Sequence, residues 1–296
     1  MDVHLIDGTY ELFRHYYALP NYEDNKEREV GAVRGVLNSV LTLLEEGATH
    51  VGVATDHVVE SFRNELYEGY KTGEGIEEAL RSQFGILEEV LESAGFRVWP
   101  MVKYEADDAI ATATVMADTD SRVERVWICS PDKDLAQCVR GSRVIQLDRR
   151  RKITLDAEAI AEKYGVPSDS IPDYLALVGD SADGFLGLKG WGASSAAKIL
   201  DRYKHLENIP ESARDWSVKL RGADKLAETL MNEREQAFLF RRLATLVTDV
   251  PGLGDVDDLK WSGPREDFEE QCRVIIMPNA VKRVARLREN NGAQQQ

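Results

Sequence analysis

The stretch "FRVWPMVKYEADDAIATATVMA" (residues 96–117) runs from a short apolar segment into one of helical period. Three carboxylates, Glu105, Asp107 and Asp108, crowd four positions at the junction. The same succession occurs three more times. "VHLID" (3–7) precedes "REVGAVRGVLNSVLTLLEEG" (28–47), "VGVATD" (51–56) precedes a segment ending "QFGILEEVLESAG" (83–95), and "VERVWICSPD" (123–132) precedes "KDLAQCV" (133–139). Strand-length apolar runs alternating with helical segments predict βαβ units around a mainly parallel sheet, an α/β fold.

The acids take their meaning from that alternation. Asp7, Asp56 and Asp132 fall at the carboxyl ends of predicted strands, and Glu105 follows the remaining apolar run at a similar junction. Open α/β sheets bind ligands in the crevice at that edge, so carboxylates remote in sequence are expected to converge.

The chain has 296 residues, 43% apolar and 30% charged, enough for one large domain or two lobes. Its apolar runs fall far short of the roughly 18 to 20 residues that span a bilayer, and "MDVHLIDGTYE" has no basic segment followed by an apolar one. Both point to a cytoplasmic protein. Cys129, Cys138 and Cys272 form no C-x-x-C pair and lie near no histidine cluster, so buried free thiols are expected. A formal charge of −15 argues against sequence-independent binding of polyanions over the whole surface, while leaving room for a local basic patch.

Around Pro167 the character changes. "VPSDSIPDYLALVGDSADGFLGLKGWGASSAAKILDRYKHLENI" (166–209) places glycine-rich turns between short helices and carries no strand signal. A lobe boundary is expected near residue 166. The chain then reads as helical through "LAETLMNEREQAFLFRRLATLVT" (226–248), and "ENNGAQQQ" (289–296) as a disordered tail.

Acids in the first turn of a helix are ordinary, because they complement its positive end. Their repetition here is not: "IDG" (6–8), "ATD" (54–56), "EADD" (105–108), "SPDKD" (130–134) and "GDSAD" (179–183). If the carboxylates of Asp7, Asp56, Glu105, Asp107, Asp108, Asp132, Asp134, Asp180 and Asp183 surround one cleft, each pair 4 Å apart repels by about 4 kcal/mol at an effective dielectric of 20. Several such pairs rival the roughly 5 to 15 kcal/mol that holds a domain together. Bound cations are the economical compensation, and hard oxygen ligands without histidine or thiolate support favour Mg²⁺ or Mn²⁺. Two such ions about 3.5 to 4 Å apart suit phosphodiester hydrolysis.

In "GLKGWGASSAAKIL" (187–200) the order G-x-x-G-x-G, with no strand before it, departs from a dinucleotide-binding fingerprint. Gly187, Gly190 and Gly192 can instead expose backbone N–H groups and a helix N-terminus to a phosphate, and Lys189 and Lys198 add charge. A plain helix connection remains the alternative.

Taken together, "SFRNELYEGYK" (61–71), "YEADD" (104–108), "DKDL" (132–135) and "GDSADGFLGLKGWG" (179–192) resemble the 5′-nuclease family over roughly residues 2 to 250. That family comprises flap endonucleases, the 5′ exonuclease domains attached to bacterial DNA polymerase I, and phage 5′ exonucleases. The resemblance implies a PIN-like three-layer lobe with a mainly parallel central sheet (1–166), bearing a helical arch near 68–90. A helical lobe with a helix–three-turn–helix (167–296) is expected to follow. The nine carboxylates match the family's metal-binding acids for two Mg²⁺ or Mn²⁺ ions. Lys71, at the foot of the arch, and Arg14, in "ELFRHYYAL" (11–19), match residues that face the scissile phosphate as catalytic groups. The glycine segment matches the element that holds duplex DNA.

The activity implied is metal-dependent 5′-3′ exonuclease and flap endonuclease action by a monomer on DNA 5′ ends and single-strand/duplex junctions. Glu74 stands where arginine is frequent, Ser194 where lysine is common and Gly184 where asparagine is usual, which leaves a DNA-structure-binding protein of low activity as the alternative. A small-molecule phosphohydrolase fits less well, having no use for the hairpin. The segment 68–84 is expected to be mobile without DNA. "DRRRK" (148–152) reads as a solvated basic turn as readily as a phosphate contact, Trp191 as a packed residue, and the five histidines as structural.

Overall fold

A computed structural model describes residues 1–293. The chain divides into two compact units: one takes in 1–59, 73–130 and Thr248 onward, the other 60–72 and 131–247.

In the first unit four strands, β1 (Asp2–Asp7), β2 (His50–Asp56), β3 (Arg97–Met101) and β4 (Arg125–Cys129), lie in the order β3-β2-β1-β4. All three pairings are parallel, with Leu5 opposite both Gly52 and Ile128, and Val53 opposite Val98. Val51, Val53 and Ala54 are fully buried, so both faces of β2 are covered, as parallel sheets require. The chain moves outward from β1 to β3 and then returns to β4 on the other side of β1. This reversal places the crevice between the carboxyl ends of β1 and β4.

The helix Gly31–Glu45 buries Val33, Val36, Leu37, Val40, Leu41 and Leu44, but its N-cap Val30 offers no side-chain acceptor. The missing acceptor comes from Gln83, which is fully buried and takes the N–H groups of Ala32 and Val33 at 3.1 and 3.2 Å. Gln83 thereby pins the far end of the segment expected to be mobile. Residues from Thr248 onward pack with this unit. Trp261 donates its indole N–H to Ala94 O at 2.9 Å, and Arg283 pairs with Glu45 at 2.7 Å on the helix Gly31–Glu45. The final helix continues to Ala293, into the stretch expected to be a disordered tail; Gln294–Gln296 lie outside the described residues.

The second unit contains an antiparallel pair that periodicity did not announce, β5 (Val144–Asp148) and β6 (Ile153–Leu155). Three residues are too few to show alternation, and "DRRRK" supplies the connecting turn, with Lys152 at φ +56°. Helices Ala157–Tyr164, Ile171–Val178, Ala193–Tyr203, Ala223–Asn232 and Arg234–Ala244 follow. Phe185 and Phe240 stack at 5.2 Å within their shared core. Arg63 is buried among them, donating Nε to Leu243 O at 2.8 Å and Nη2 to Thr245 O at 3.1 Å. It satisfies carbonyls at the end of the helix Arg234–Ala244, where a cation also meets the negative pole of the helix.

The three cysteines are free and buried. Burial pushes the Cys272 thiol up to about 12, so it carries no thiolate at neutral pH.

Two outcomes follow from this packing. Replacing Arg63 by Met orphans buried carbonyls and should lower unfolding free energy by about 3 kcal/mol, read from urea denaturation. Ellman's reagent should leave Cys272 unmodified in the native protein and titrate it promptly in urea.

Candidate functional site

The first unit's acids sit where its strands end and its helices begin. Asp7 closes β1 and caps the helix Gly8–Ala18: Oδ1 accepts from Tyr10 N at 2.8 Å, and Oδ2 from the Ser130 hydroxyl at 2.9 Å, just past β4. Asp56 closes β2, and its Oδ1 accepts from Ala106 N at 2.8 Å, at the start of the helix Ala106–Thr119. Glu105 is the N-cap of that helix, and its N–H donates to Asp108 Oδ2 at 3.0 Å. Asp108 is fully buried and gives this oxygen to the helix start; Asp107 occupies the same first turn. The predicted crevice edge therefore holds Asp7, Asp56, Glu105, Asp107 and Asp108. Arg14, on the helix Gly8–Ala18, is ion-paired to buried Glu11 and lies 2.8 Å from His15 Nε2, while its Nε is buried with no hydrogen-bond partner.

The second unit gathers its acids more tightly. The helix Ile171–Val178 ends at Gly179, and the next residues close a loop through Asp180 N to Phe185 O at 2.7 Å and Phe185 N to Asp180 O at 3.0 Å. That loop carries Asp180 and Asp183, both buried. Asp134 starts the short helical turn Asp134–Cys138, and its N–H donates to Asp132 Oδ1 at 2.9 Å. One carboxylate oxygen from each of Asp134, Asp180 and Asp183 lies within 4.8 Å of the others.

Burial first, and then the charges of Asp132, Asp183 and Asp180, push the Asp134 carboxyl well above the usual carboxylate range. Its Oδ1 is buried and has no hydrogen-bond partner among the described residues. A buried carboxylate that has one oxygen without a donor and is grouped with two more carboxylates is what a hard divalent cation satisfies, so the residues fit such an ion.

Two ammonium groups meet this trio. Lys71 Nζ lies 3.1 Å from Asp183 Oδ1, and Lys133 Nζ 2.7 Å from Asp180 Oδ2. Burial opposes the charge on Lys133, yet Asp180, Asp134 and Asp132 together outweigh it and raise the ammonium's pKa. Lys71 is held by its backbone: its N–H donates to Asp183 O at 3.0 Å, and its carbonyl accepts from Asn64 Nδ2 at 2.9 Å. Gly184 makes this approach possible. It sits at φ +86°, and a Cβ there would lie 2.1 Å from Gly69 O, so the departure from the usual asparagine is built into the geometry of this chain. Lys133 and Asn64 were not foreseen from the sequence, although Lys133 stands between two acids of "DKD".

The glycine segment lies between the helices Ile171–Val178 and Ala193–Tyr203. Gly187 (φ +69°) packs backbone to backbone on Gly179: its Cβ would lie 2.4 Å from Gly179 N. Gly192 begins the helix Ala193–Tyr203, its N–H donating to Ser195 Oγ at 3.0 Å. Lys189, Gly190, Ser194 and Lys198 are exposed, while Trp191 is buried with its ring 6.2 Å from that of Trp216. Of the histidines, His57 and His205 pair with Glu88 and Asp173 at 2.7 and 2.9 Å, in structural roles.

Comparison with known proteins places this arrangement. Residues 2–165 match the model of the 5′-3′ exonuclease N-terminal resolvase-like domain, and residues 166–267 that of the 5′-3′ exonuclease C-terminal SAM fold. The chain is 33% identical to DNA polymerase I of Bacillus caldotenax over 273 residues, which is 90% of this chain and 30% of that one. It is 34% identical to DNA polymerase I of Deinococcus radiodurans over 249 residues, 83% of this chain and 25% of that one. It thus spans about 30% of the length of the first of these relatives and less of the second.

Among solved structures, a bacteriophage T5 flap endonuclease in a complex with DNA and metal ions matches with TM-score 0.65 at 17% identity, over 98% of this chain and 100% of that one. The catalytic core of Rad2 in complex with DNA substrate matches with TM-score 0.63 at 15% identity, over 96% of this chain and 91% of that one. These two share the fold, a parallel-sheet lobe of PIN-like type with a helical lobe. With family models covering residues 2–267, the chain belongs to the 5′-3′ exonuclease family.

Proposed function

We propose that the protein is a divalent-metal-dependent nuclease that hydrolyses DNA phosphodiester bonds near 5′ ends and at single-strand/duplex junctions, as 5′-3′ exonuclease and flap endonuclease. The observation that carries this is the buried trio Asp134, Asp180 and Asp183, with the Asp134 oxygen that no protein donor satisfies. Asp7, Asp56, Glu105, Asp107 and Asp108 in one unit, and Asp132, Asp134, Asp180 and Asp183 in the other, are the groups that would hold two Mg²⁺ or Mn²⁺ ions. Such ions supply nucleophile activation and neutralise charge on the phosphodiester in flight.

The remaining roles belong to the protein's own side chains. Lys71 is held by its own N–H, which donates to Asp183 O, and by its carbonyl, which accepts from Asn64 Nδ2, an arrangement suited to presenting its ammonium to a phosphate oxygen. Arg14 has a buried Nε without a partner, which supports a similar role. Exposed Lys189 and Lys198, with the backbone around Gly187, Gly190 and Gly192, suit a grip on the duplex backbone that ignores sequence. The division into a catalytic part up to residue 166 and a DNA-gripping part beyond it is supported by the ranges of the two family models. A cytoplasmic monomer completes the reading; no helix among the described residues is long and apolar enough to cross a membrane.

An end-labelled 5′-flap duplex tests it. Cleavage is expected with Mg²⁺, none with EDTA, and a loss of roughly a hundredfold or more in a folded Asp134→Asn variant. Binding of flap DNA without cutting in Mg²⁺ or Mn²⁺ would favour the non-catalytic reading that Glu74 and Ser194 suggest.

A second outcome concerns Gly184. The Gly184→Ala change adds a Cβ against Gly69 O at a positive φ and should cost about 2 kcal/mol of stability by urea denaturation. It should also slow flap cleavage more than it weakens DNA binding, because it displaces the segment carrying Lys71.

A further inference from the structure

We infer that Lys133 is a positioning residue that serves as an exchangeable internal counter-ion: it holds Asp180 while the acidic trio lacks a divalent cation, and leaves when the cation arrives. The inference rests on the metal-binding reading of Asp134, Asp180 and Asp183.

The three acids are unequally provided for. Asp183 has Lys71 and Asp180 has Lys133, whereas Asp134 Oδ1 has no partner. Both oxygens of Asp180 are engaged, Oδ2 by Lys133 Nζ at 2.7 Å and Oδ1 by Ala182 N at 2.9 Å. A cation drawn to Asp134 must share Asp180 with an ammonium already in contact with it, and the two repel.

The two lysines differ in how they are held. Lys71 is fixed through its backbone on both sides, by Asp183 O and by Asn64. Lys133 lies between Asp132 and Asp134, its side chain is 36% exposed, and it ends a flexible four-carbon stem with solvent beside it. It is therefore the ammonium that can withdraw, freeing Asp180 Oδ2 for the cation. Lysine suits this exchange better than arginine, whose planar fork would engage the carboxylate bidentately and stay.

The test is isothermal titration of the full chain with Mn²⁺ alone, taking the heat abolished by Asp134→Asn as that of this site. Lys133→Met should bind Mn²⁺ about tenfold more tightly than the unaltered protein, and Mn²⁺ should raise its melting temperature by a larger increment. Lys133→Arg, which keeps the charge, should bind Mn²⁺ more weakly, and it decides the matter if the Met variant does not fold. A purely structural lysine would alter the melting temperature and leave Mn²⁺ affinity unchanged, which would overturn the inference while the metal reading stands. Absence of any Mn²⁺ heat sensitive to Asp134→Asn would overturn the metal reading, and this inference with it.

Discussion

Like charges at short range, held away from water, set the terms for the second unit. Carboxylate oxygens of Asp134, Asp180 and Asp183 lie within 4.8 Å of one another in surroundings that exclude solvent. Left to itself such a loop would spread apart. It does not, because paired backbone hydrogen bonds between Asp180 and Phe185 close it and because Phe185 is fully buried against Phe240. Hydrophobic packing a few residues away thus opposes electrostatic repulsion. Two lysines reduce the charge without abolishing it, leaving Asp134 with a raised pKa and an unsatisfied oxygen.

The same acids also build helices. Asp7 ends β1 and caps the helix Gly8–Ala18, Asp56 accepts the first N–H of the helix Ala106–Thr119, and Asp108 ties down Glu105. Carboxylates at helix starts therefore have a structural use of their own, and no single acidic run distinguishes it from ligand binding. Capping over long sequence distances recurs elsewhere: Gln83 serves the helix Gly31–Glu45 and Arg63 the helix Arg234–Ala244. Arg63 lies in the stretch that leads into Lys71, so that stretch is anchored by a buried guanidinium.

The parallel sheet was legible because β1 to β4 are runs of apolar residues at strand length, separated by helical periods. β5 and β6 were not, since Ile153–Leu155 is too short to alternate and a basic turn breaks the pattern. What the chain packs against after residue 247 was not legible, for a different reason. A helix such as Pro278–Ala293 shows its apolar stripe in sequence but not the surface that receives it, and Arg283 reaches Glu45 across more than two hundred residues. Gly184 read as the loss of a useful side chain; its φ of +86° and the nearby Gly69 carbonyl make any side chain there an obstruction.

By itself the sequence determined the α/β alternation, the recurrence of acids at strand ends, the glycine order of the hairpin and the family they resemble. Those are local patterns, written in residue spacing. Tertiary structure alone decided which acids meet within 4.8 Å, that Asp134 rather than its neighbours lacks a donor, and that Lys133 rests on Asp180. Electrostatic energy depends on distance through space and on exclusion of water, and residue spacing along the chain encodes neither.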